Sequence, residues 1–135
     1  KDLVAQIAPQ IKECFPWDVE ERMKAGEELL FLDVRENQEY DTMHIEDSLH
    51  VPRGILETAV EWDHEETEPD LVEARERQIV VVCRSGYRSV LAANSMLFLL
   101  VGLSINIESL FSHSLLILLV VLIVLLASLP TGSLP

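Results

Sequence analysis

Positive charge is scarce in this 135-residue chain, which has 10 Lys and Arg against 23 Asp and Glu and a net charge of −13. Nucleic-acid binding needs clustered Lys and Arg, so this balance argues against a nucleic-acid partner. It also disfavours docking on anionic lipid headgroups. The charge is unevenly placed, because every Lys and Arg, and every acidic residue except Glu108, lies at or before Arg88.

Cysteine is also scarce. The chain has two, Cys14 and Cys83, which does not indicate a disulfide scaffold. No second Cys or His lies at ligand spacing from Cys83, and neither a Walker lysine nor a GxGxxG motif is present. We therefore expect neither a metal nor a cofactor.

A signal-peptide pattern is also missing from the amino terminus, KDLVAQIAPQ, which has no apolar run after a basic start. We therefore expect a cytoplasmic protein. The chain begins without Met, so a periplasmic protein whose leader was removed is kept as an alternative, as is membrane association through residues 110–129.

Apolar runs of strand length alternate with helical patterns along the chain. Residues 29–32, 48–51, 79–83 and 105–110 are strand candidates, and 17–26 and 89–102 are helix candidates, the first with Asp18 as its cap and Gly26 at its end. This alternation predicts a single α/β domain with a parallel sheet. The acidic segment 57–76 is expected to be a solvated loop and helix.

The stretch CRSGYRS, residues 83–89, lies between a predicted strand and a predicted helix. Backbone N–H groups of such a turn converge on one point, and the helix amino end adds positive potential. Gly86 permits a backbone angle that other residues resist, and Arg84 and Arg88 add full charges. A thiol in this setting is expected to ionise to the thiolate near neutral pH, which makes Cys83 a candidate nucleophile.

Two longer stretches carry a family resemblance: LFLDVRENQEYDTMHIEDSLHVPRG at residues 30–54 and IVVVCRSGYRSVLAA at 79–93. With their Asp-Val-Arg, Glu-Tyr, His-Ile, Pro-Arg-Gly and cysteine loop in order, the chain resembles a single-domain rhodanese sulfurtransferase over about residues 12–103. The resemblance implies a rhodanese-like α/β fold, with a five-stranded parallel sheet flanked by helices on both faces.

The activity that the resemblance implies is transfer of a sulfane sulfur. Cys83 would attack a small anionic donor such as thiosulfate, carry the sulfur as a persulfide and pass it to cyanide or a thiol acceptor. The substrate-binding residues would be Arg84, Ser85, Gly86, Tyr87 and Arg88. Asp33 and Arg35 would support the loop, although a purely structural ion pair is at least as good an interpretation. His44, at the His-Ile position, is expected to be structural.

Loop length separates this chemistry from a related one. The phosphatase branch of the fold has five residues between its Cys and its Arg; here that Arg position holds Ser89, and the arginine comes one residue earlier. The shorter loop fits sulfur better than a tetrahedral oxyanion. A phosphatase or arsenate reductase is the alternative enzyme, and a sulfur carrier or binding module is the non-catalytic alternative. Cys14 matches no functional position of the family.

The last third of the chain departs from the family pattern, because the helix predicted at about 114–128 has no polar face. Three interpretations stay open: a membrane anchor within 110–129, a surface that meets a partner or a second copy as a homodimer, or a sequence altered after about residue 96. We expect one domain over 1–135, with a core at about 12–130 that this helix completes.

Overall fold

The computed structural model describes residues 2–99 and 106–110. Within them, helices and strands alternate as an α/β fold requires. The helices are α1 (Asp2–Ile7), α2 (Pro16–Lys24), α3 (Asn37–Thr42), α4 (Leu56–Ala59), α5 (Pro69–Glu73) and α6 (Tyr87–Leu99). The strands are β1 (Lys12–Cys14), β2 (Leu29–Asp33), β3 (Leu49–His50), β4 (Gln78–Val82) and β5 (Asn106–Leu110). Short 3₁₀ turns cover 8–10, 53–55 and 74–76.

The strands form one parallel sheet in the order β1-β5-β4-β2-β3. Asp33 pairs with Val82 and Val82 pairs with Leu110, so β2, β4 and β5 end at the same level of the sheet. The loops after β2 and β4 therefore open at the same end of the sheet, where ligands bind in sheets of this kind. The predicted α/β fold with a parallel sheet is confirmed.

Side chains of the two central described strands alternate between two apolar cores. Leu30, Leu32, Ile79 and Val81 belong to the larger core, which also includes residues of α4, α5 and α6. The intervening residues belong to a smaller core with Val19 of α2. Both faces of these strands are therefore covered. This explains why β4 has an uninterrupted apolar run after Gln78 instead of an alternating pattern.

Helix α2 corrects one detail of the sequence analysis. Phe15, in extended conformation, precedes the helix, and its N–H donates to the Asp18 carboxylate at 3.0 Å. Asp18 therefore lies in the first turn instead of forming the predicted cap. Gly26 follows the helix end as predicted, with a φ of +85° that favours glycine.

Strand β1 was not predicted, since its three residues have no strand pattern. The acidic segment 57–76 also differs from the expectation. Its charged residues are largely exposed, but Val60 and Leu71 belong to the larger core, and Val72 is also buried. The segment is therefore a packed part of the domain with a charged outer surface.

The apolar carboxyl-terminal helix predicted at about 114–128 lies outside the described residues, as do the predicted end of α6 at Gly102 and nearly all of the span 110–129. None of the helices in residues 2–99 is long and apolar enough to cross a bilayer.

Candidate active site

The candidate nucleophile lies where β4 ends and α6 begins. Cys83 follows Val82, the last residue of the strand, and the helix starts at Tyr87, two residues earlier than predicted. Between them Gly86 has a φ of +83°, a conformation that is costly for other residues. This glycine lets the chain reverse from strand into helix within four residues.

Three donors or acceptors surround the Cys83 sulfur. The Gly86 N–H donates to Sγ at 3.1 Å and the Ser89 N–H donates at 3.4 Å. The Ser89 hydroxyl oxygen lies 3.3 Å from the sulfur. Cys83 and Ser89 are both fully buried. The sulfur thus sits at the amino end of a 13-residue helix, where its N–H groups and dipole favour negative charge.

Ser89 was missed as a site residue, since the sequence analysis used it only to measure the loop. Its hydroxyl also donates to the Gly86 carbonyl oxygen at 3.0 Å. One side chain therefore links the sulfur to the carbonyl of the turn. Its position three residues after Gly86, in the first turn of the helix, is the signal that could have found it.

The Arg88 side chain forms an ion pair with α3. Its two terminal nitrogens donate to the two Glu39 carboxylate oxygens at 2.6 and 2.7 Å, a bidentate pair. The hydrogen bond from Arg88 lowers the pKa of Glu39 from 4.5 to about 2. In turn Glu39 raises the pKa of Arg88, and the nearby Cys83 adds to that effect. Glu39, the Glu of the Glu-Tyr pair, had been given no role.

Arg84 differs from Arg88 in being available. It is exposed, as are Ser85 and Tyr87 on the same loop. Among the residues that the structure describes, Arg84 has no hydrogen-bond or ion-pair partner. It is therefore a cation at the loop surface, one residue from the buried sulfur.

Comparison with known proteins shows the family of the chain. The model of the rhodanese-like domain family matches residues 16–109, more than half of the chain. The chain belongs to the rhodanese-like domain family. The resemblance drawn from its motifs is confirmed.

One curated relative of this rhodanese-like chain is YrkF of Bacillus subtilis (strain 168), named as a candidate sulfur carrier protein. The two are 34% identical over 76 residues, which cover 56% of this chain and 36% of YrkF. The chain thus spans about a third of the length of the relative that it matches.

Several solved structures share the rhodanese-like fold. The human single-domain sulfurtransferase TSTD1 is 19% identical with a TM-score of 0.61, covering 78% of this chain and 94% of its own. A Rhodopseudomonas palustris protein described as a possible tyrosine phosphatase is 22% identical with a TM-score of 0.69, covering 82% and 81%. A thiosulfate sulfurtransferase of Pseudomonas aeruginosa is 21% identical with a TM-score of 0.64, covering 87% and 21%. At these identities the likeness shows the fold.

The Asp-Val-Arg motif of the rhodanese-like domain forms a buried ion pair at the end of β2. The Arg35 guanidinium donates to Asp33 at 2.7 to 3.0 Å and to the Met43 carbonyl at 2.7 Å. The residue between them, Val34, donates its N–H to the Val82 carbonyl, next to Cys83. The pair therefore holds the chain beside the cysteine loop without a contact to the sulfur.

The His-Ile segment adds a stack of three rings. Tyr40 lies between His44 and His50, with centroid distances of 4.0 and 4.1 Å. Nδ1 of His44 is 2.9 Å from the Tyr40 carbonyl oxygen, and Nε2 of His50 is 2.9 Å from that of Arg35. Both imidazoles thus have partners in the fold, which fits the structural role expected of His44.

Cys14 is buried at the end of β1, a more enclosed position than its lack of a motif suggests. It pairs with Leu110, which pairs with Val82, so its Cα is roughly 10 Å from that of Val82 at the usual strand spacing. It belongs to the smaller core and Cys83 to the larger one. A disulfide needs Cα atoms within about 7 Å, so the two thiols are not placed to bridge.

Proposed function

We propose that this chain is a sulfurtransferase in which Cys83 carries a sulfane sulfur as a persulfide. The observation that supports it is the hydrogen bonding of the buried Cys83 sulfur, which accepts the Gly86 and Ser89 N–H groups at the amino end of α6. A thiolate and a persulfide both carry negative charge, and fixed N–H donors stabilise that charge without reorganisation.

The first half of the reaction loads the cysteine. The Cys83 thiolate attacks the outer sulfur of thiosulfate, a new Sγ–S bond forms, and the S–S bond of the donor breaks. Sulfite leaves with the electron pair of that bond, so the outer sulfur stays on Cys83 as an anionic persulfide. No oxidant or reductant is needed.

The second half returns the enzyme to its starting state. Cyanide or the thiolate of an acceptor attacks the outer sulfur of the persulfide, and the Sγ–S bond breaks. The products are thiocyanate or the acceptor's persulfide, together with the Cys83 thiolate. Neither half needs an external oxidant or reductant, so the proposed cycle needs no cofactor.

Arg84 is the residue that we propose for binding the anionic donor, because it is exposed beside the sulfur and without a partner in the described part of the chain. Arg88 contributes its charge from within the pair with Glu39, and so acts on the loop more than on the substrate. Ser85, Gly86 and Tyr87 complete the substrate-binding loop, and Asp33 and Arg35 support it from β2.

A phosphatase is the competing enzyme, and one contact disfavours it. At the position of the arginine that holds phosphate in that branch lies Ser89, whose side chain is buried against the sulfur and the Gly86 carbonyl. A short hydroxyl in that place offers no bidentate cation to a tetrahedral oxyanion.

The experiment is intact-mass measurement after incubation with thiosulfate, before and after cyanide. We expect the wild type to gain the mass of one sulfur atom and to lose it to cyanide, whereas Cys83→Ser gains nothing. Cys14→Ser is the matched control and should behave as wild type.

Three results would contradict the proposal. Hydrolysis of a phosphate ester without sulfur uptake would move the chain to the phosphatase branch. A folded protein with neither activity would be a binding module. Uptake of sulfur that cyanide cannot remove but a partner protein's thiol can would indicate a dedicated sulfur carrier.

A further inference from the structure

The Ser89 hydroxyl has one hydrogen and two neighbours that compete for it. Its oxygen lies 3.3 Å from the Cys83 sulfur and 3.0 Å from the Gly86 carbonyl oxygen. While Cys83 is a thiol, the S–H can donate to the Ser89 oxygen and the hydroxyl can donate to the carbonyl. When the sulfur is a thiolate it has no hydrogen left to give, and only the hydroxyl can donate between the two atoms.

We propose that Ser89 is a catalytic residue whose hydroxyl turns from the Gly86 carbonyl to the Cys83 sulfur whenever that sulfur becomes an anion. This inference rests on the proposed sulfur transfer, because it assigns the hydroxyl to one step of it. When an acceptor removes the outer sulfur, the electron pair of the Sγ–S bond goes to Sγ. Ser89 then supplies a third hydrogen bond, beside the two N–H groups, to the leaving thiolate.

Burial makes this hydroxyl more effective than the other polar side chains of the loop. Ser89 and Cys83 are fully buried, whereas Ser85 and Tyr87 are exposed to water that competes for their hydroxyls. A hydrogen bond to a charged group shielded from water is stronger than a neutral one, and it lowers the basicity of the leaving thiolate. A less basic thiolate leaves faster in sulfur exchange.

Removing the hydroxyl leaves the remaining electrostatics of the sulfur in place. The charged groups on the elements that meet at the loop are Arg84 and Arg88 on the loop and its helix, Asp33 and Arg35 at the end of β2, and Glu39 on α3. The variant Ser89→Ala removes the hydroxyl, with its contacts to the sulfur and to the Gly86 carbonyl, and leaves these charged groups in place.

The first test needs no sulfur donor. The rate of alkylation of Cys83 by iodoacetamide is measured against pH by mass spectrometry of its peptide, with the Cys14 peptide as an internal reference. For Ser89→Ala we expect the pH midpoint to rise by about one unit, the size expected for one hydrogen bond to a charged group. Ser48→Ala is the matched control, because Ser48 is also buried and donates its hydroxyl to a backbone carbonyl, that of Ile45.

The second test follows discharge of the loaded persulfide to cyanide in a single turnover. We expect Ser89→Ala to discharge roughly three- to tenfold more slowly than wild type and Ser48→Ala to match wild type. Ser89→Gly, which also lacks the hydroxyl, is measured beside it, and thermal unfolding confirms that each variant is folded.

An unchanged or lowered midpoint in both hydroxyl-free variants would overturn the role of Ser89, since the hydroxyl would then serve only the Gly86 carbonyl. A wild type that takes up no sulfur would defeat the proposed function instead. In that case the alkylation profile still decides whether Ser89 donates to the Cys83 thiolate, so the two failures are distinguishable.

Discussion

At the scale of single residues, the two arginines of the cysteine loop have different roles, although the sequence shows both only as cations. Arg88 donates both terminal nitrogens to Glu39. Arg84 is exposed and has no partner within the described residues. One therefore stiffens the loop, and the other has a guanidinium available for an anion, which fits the proposed use of a doubly charged donor.

Replacing Arg84 tests this division. We expect Arg84→Gln to raise KM for thiosulfate by about three- to fivefold, the loss of one exposed ion pair at the loop, with little change in thermal unfolding. Steady-state kinetics at low and high salt provide the measurement, and the effect should shrink as salt screens the charge.

Arg77→Gln is the control for Arg84, since Arg77 is exposed next to the amino end of β4, at the opposite edge of the sheet from Cys83. It removes the same charge from the molecule. Equal effects of the two variants would show that net charge, and not a contact at the loop, governs binding of the donor.

At the scale of elements, two glycines with nearly the same backbone angle adjoin different helices. Gly86, with a φ of +83°, precedes α6 in the cysteine loop, and Gly26, with a φ of +85°, follows α2. A Cβ on Gly26 would meet no atom within 4 Å, so its substitution changes backbone strain alone. Comparing alanine substitutions at these two glycines therefore separates the cost of backbone strain from the effect on the cysteine loop.

We expect Gly86→Ala and Gly26→Ala each to lower the free energy of unfolding by about 1–2 kcal/mol, the cost of a left-handed conformation with a side chain. Only Gly86→Ala should also reduce sulfur uptake from thiosulfate, because relaxation of the strained φ of +83° would move the backbone N–H, which alanine keeps, away from the Cys83 sulfur. Urea unfolding and the intact-mass assay measure the two effects. Full uptake by a folded Gly86→Ala would mean that the turn holds this N–H on the sulfur without needing a glycine.

At the scale of the whole molecule, a few side-chain contacts join segments far apart in the chain. The pair between Glu39 and Arg88 links α3 to α6 across 49 residues, and the Arg53 guanidinium reaches Ser95 across 42. The first contact holds the helix that begins at the cysteine loop against the segment that follows β2. Acid should therefore loosen the site before it unfolds the core.

The pH dependence of the Glu39 contact has a definite sign. Its pKa in the folded protein, about 2, is below the ordinary 4.5 because of Arg88. The contact therefore stabilises the fold fully above about pH 4.5 and loses its contribution as the pH falls from there towards 2. We expect Glu39→Gln to be about 1 kcal/mol less stable than wild type near neutral pH, with the difference vanishing through that window.

Urea unfolding between neutral pH and pH 2 measures this difference. Glu57→Gln is the control, because Glu57 pairs with Arg53 only four residues away and is more exposed. Its effect on stability should be smaller, and sulfur uptake should be unchanged. A difference for Glu39→Gln that persists at pH 2 would show that the charge of Glu39 is not its cause.

Much of the site was predictable because its parts are neighbours in the chain. The run from Ile79 to Val82, followed at once by Cys83 and a glycine turn, indicates strand, nucleophile and helix without knowledge of the rest. Strand β1 could not be predicted, since three residues with two exposed charges have no apolar period. It forms because the edge of β5 offers free backbone groups to pair with.

The sequence by itself determined the strand–cysteine–helix unit, the glycine of its turn and the family, because these depend on local pattern and on motifs in order. Only the tertiary structure decided that Glu39 holds Arg88, that the Ser89 hydroxyl faces the sulfur, and that Cys14 lies in the other core. These depend on which strands lie side by side and which face each side chain takes, and no short stretch of sequence carries that information.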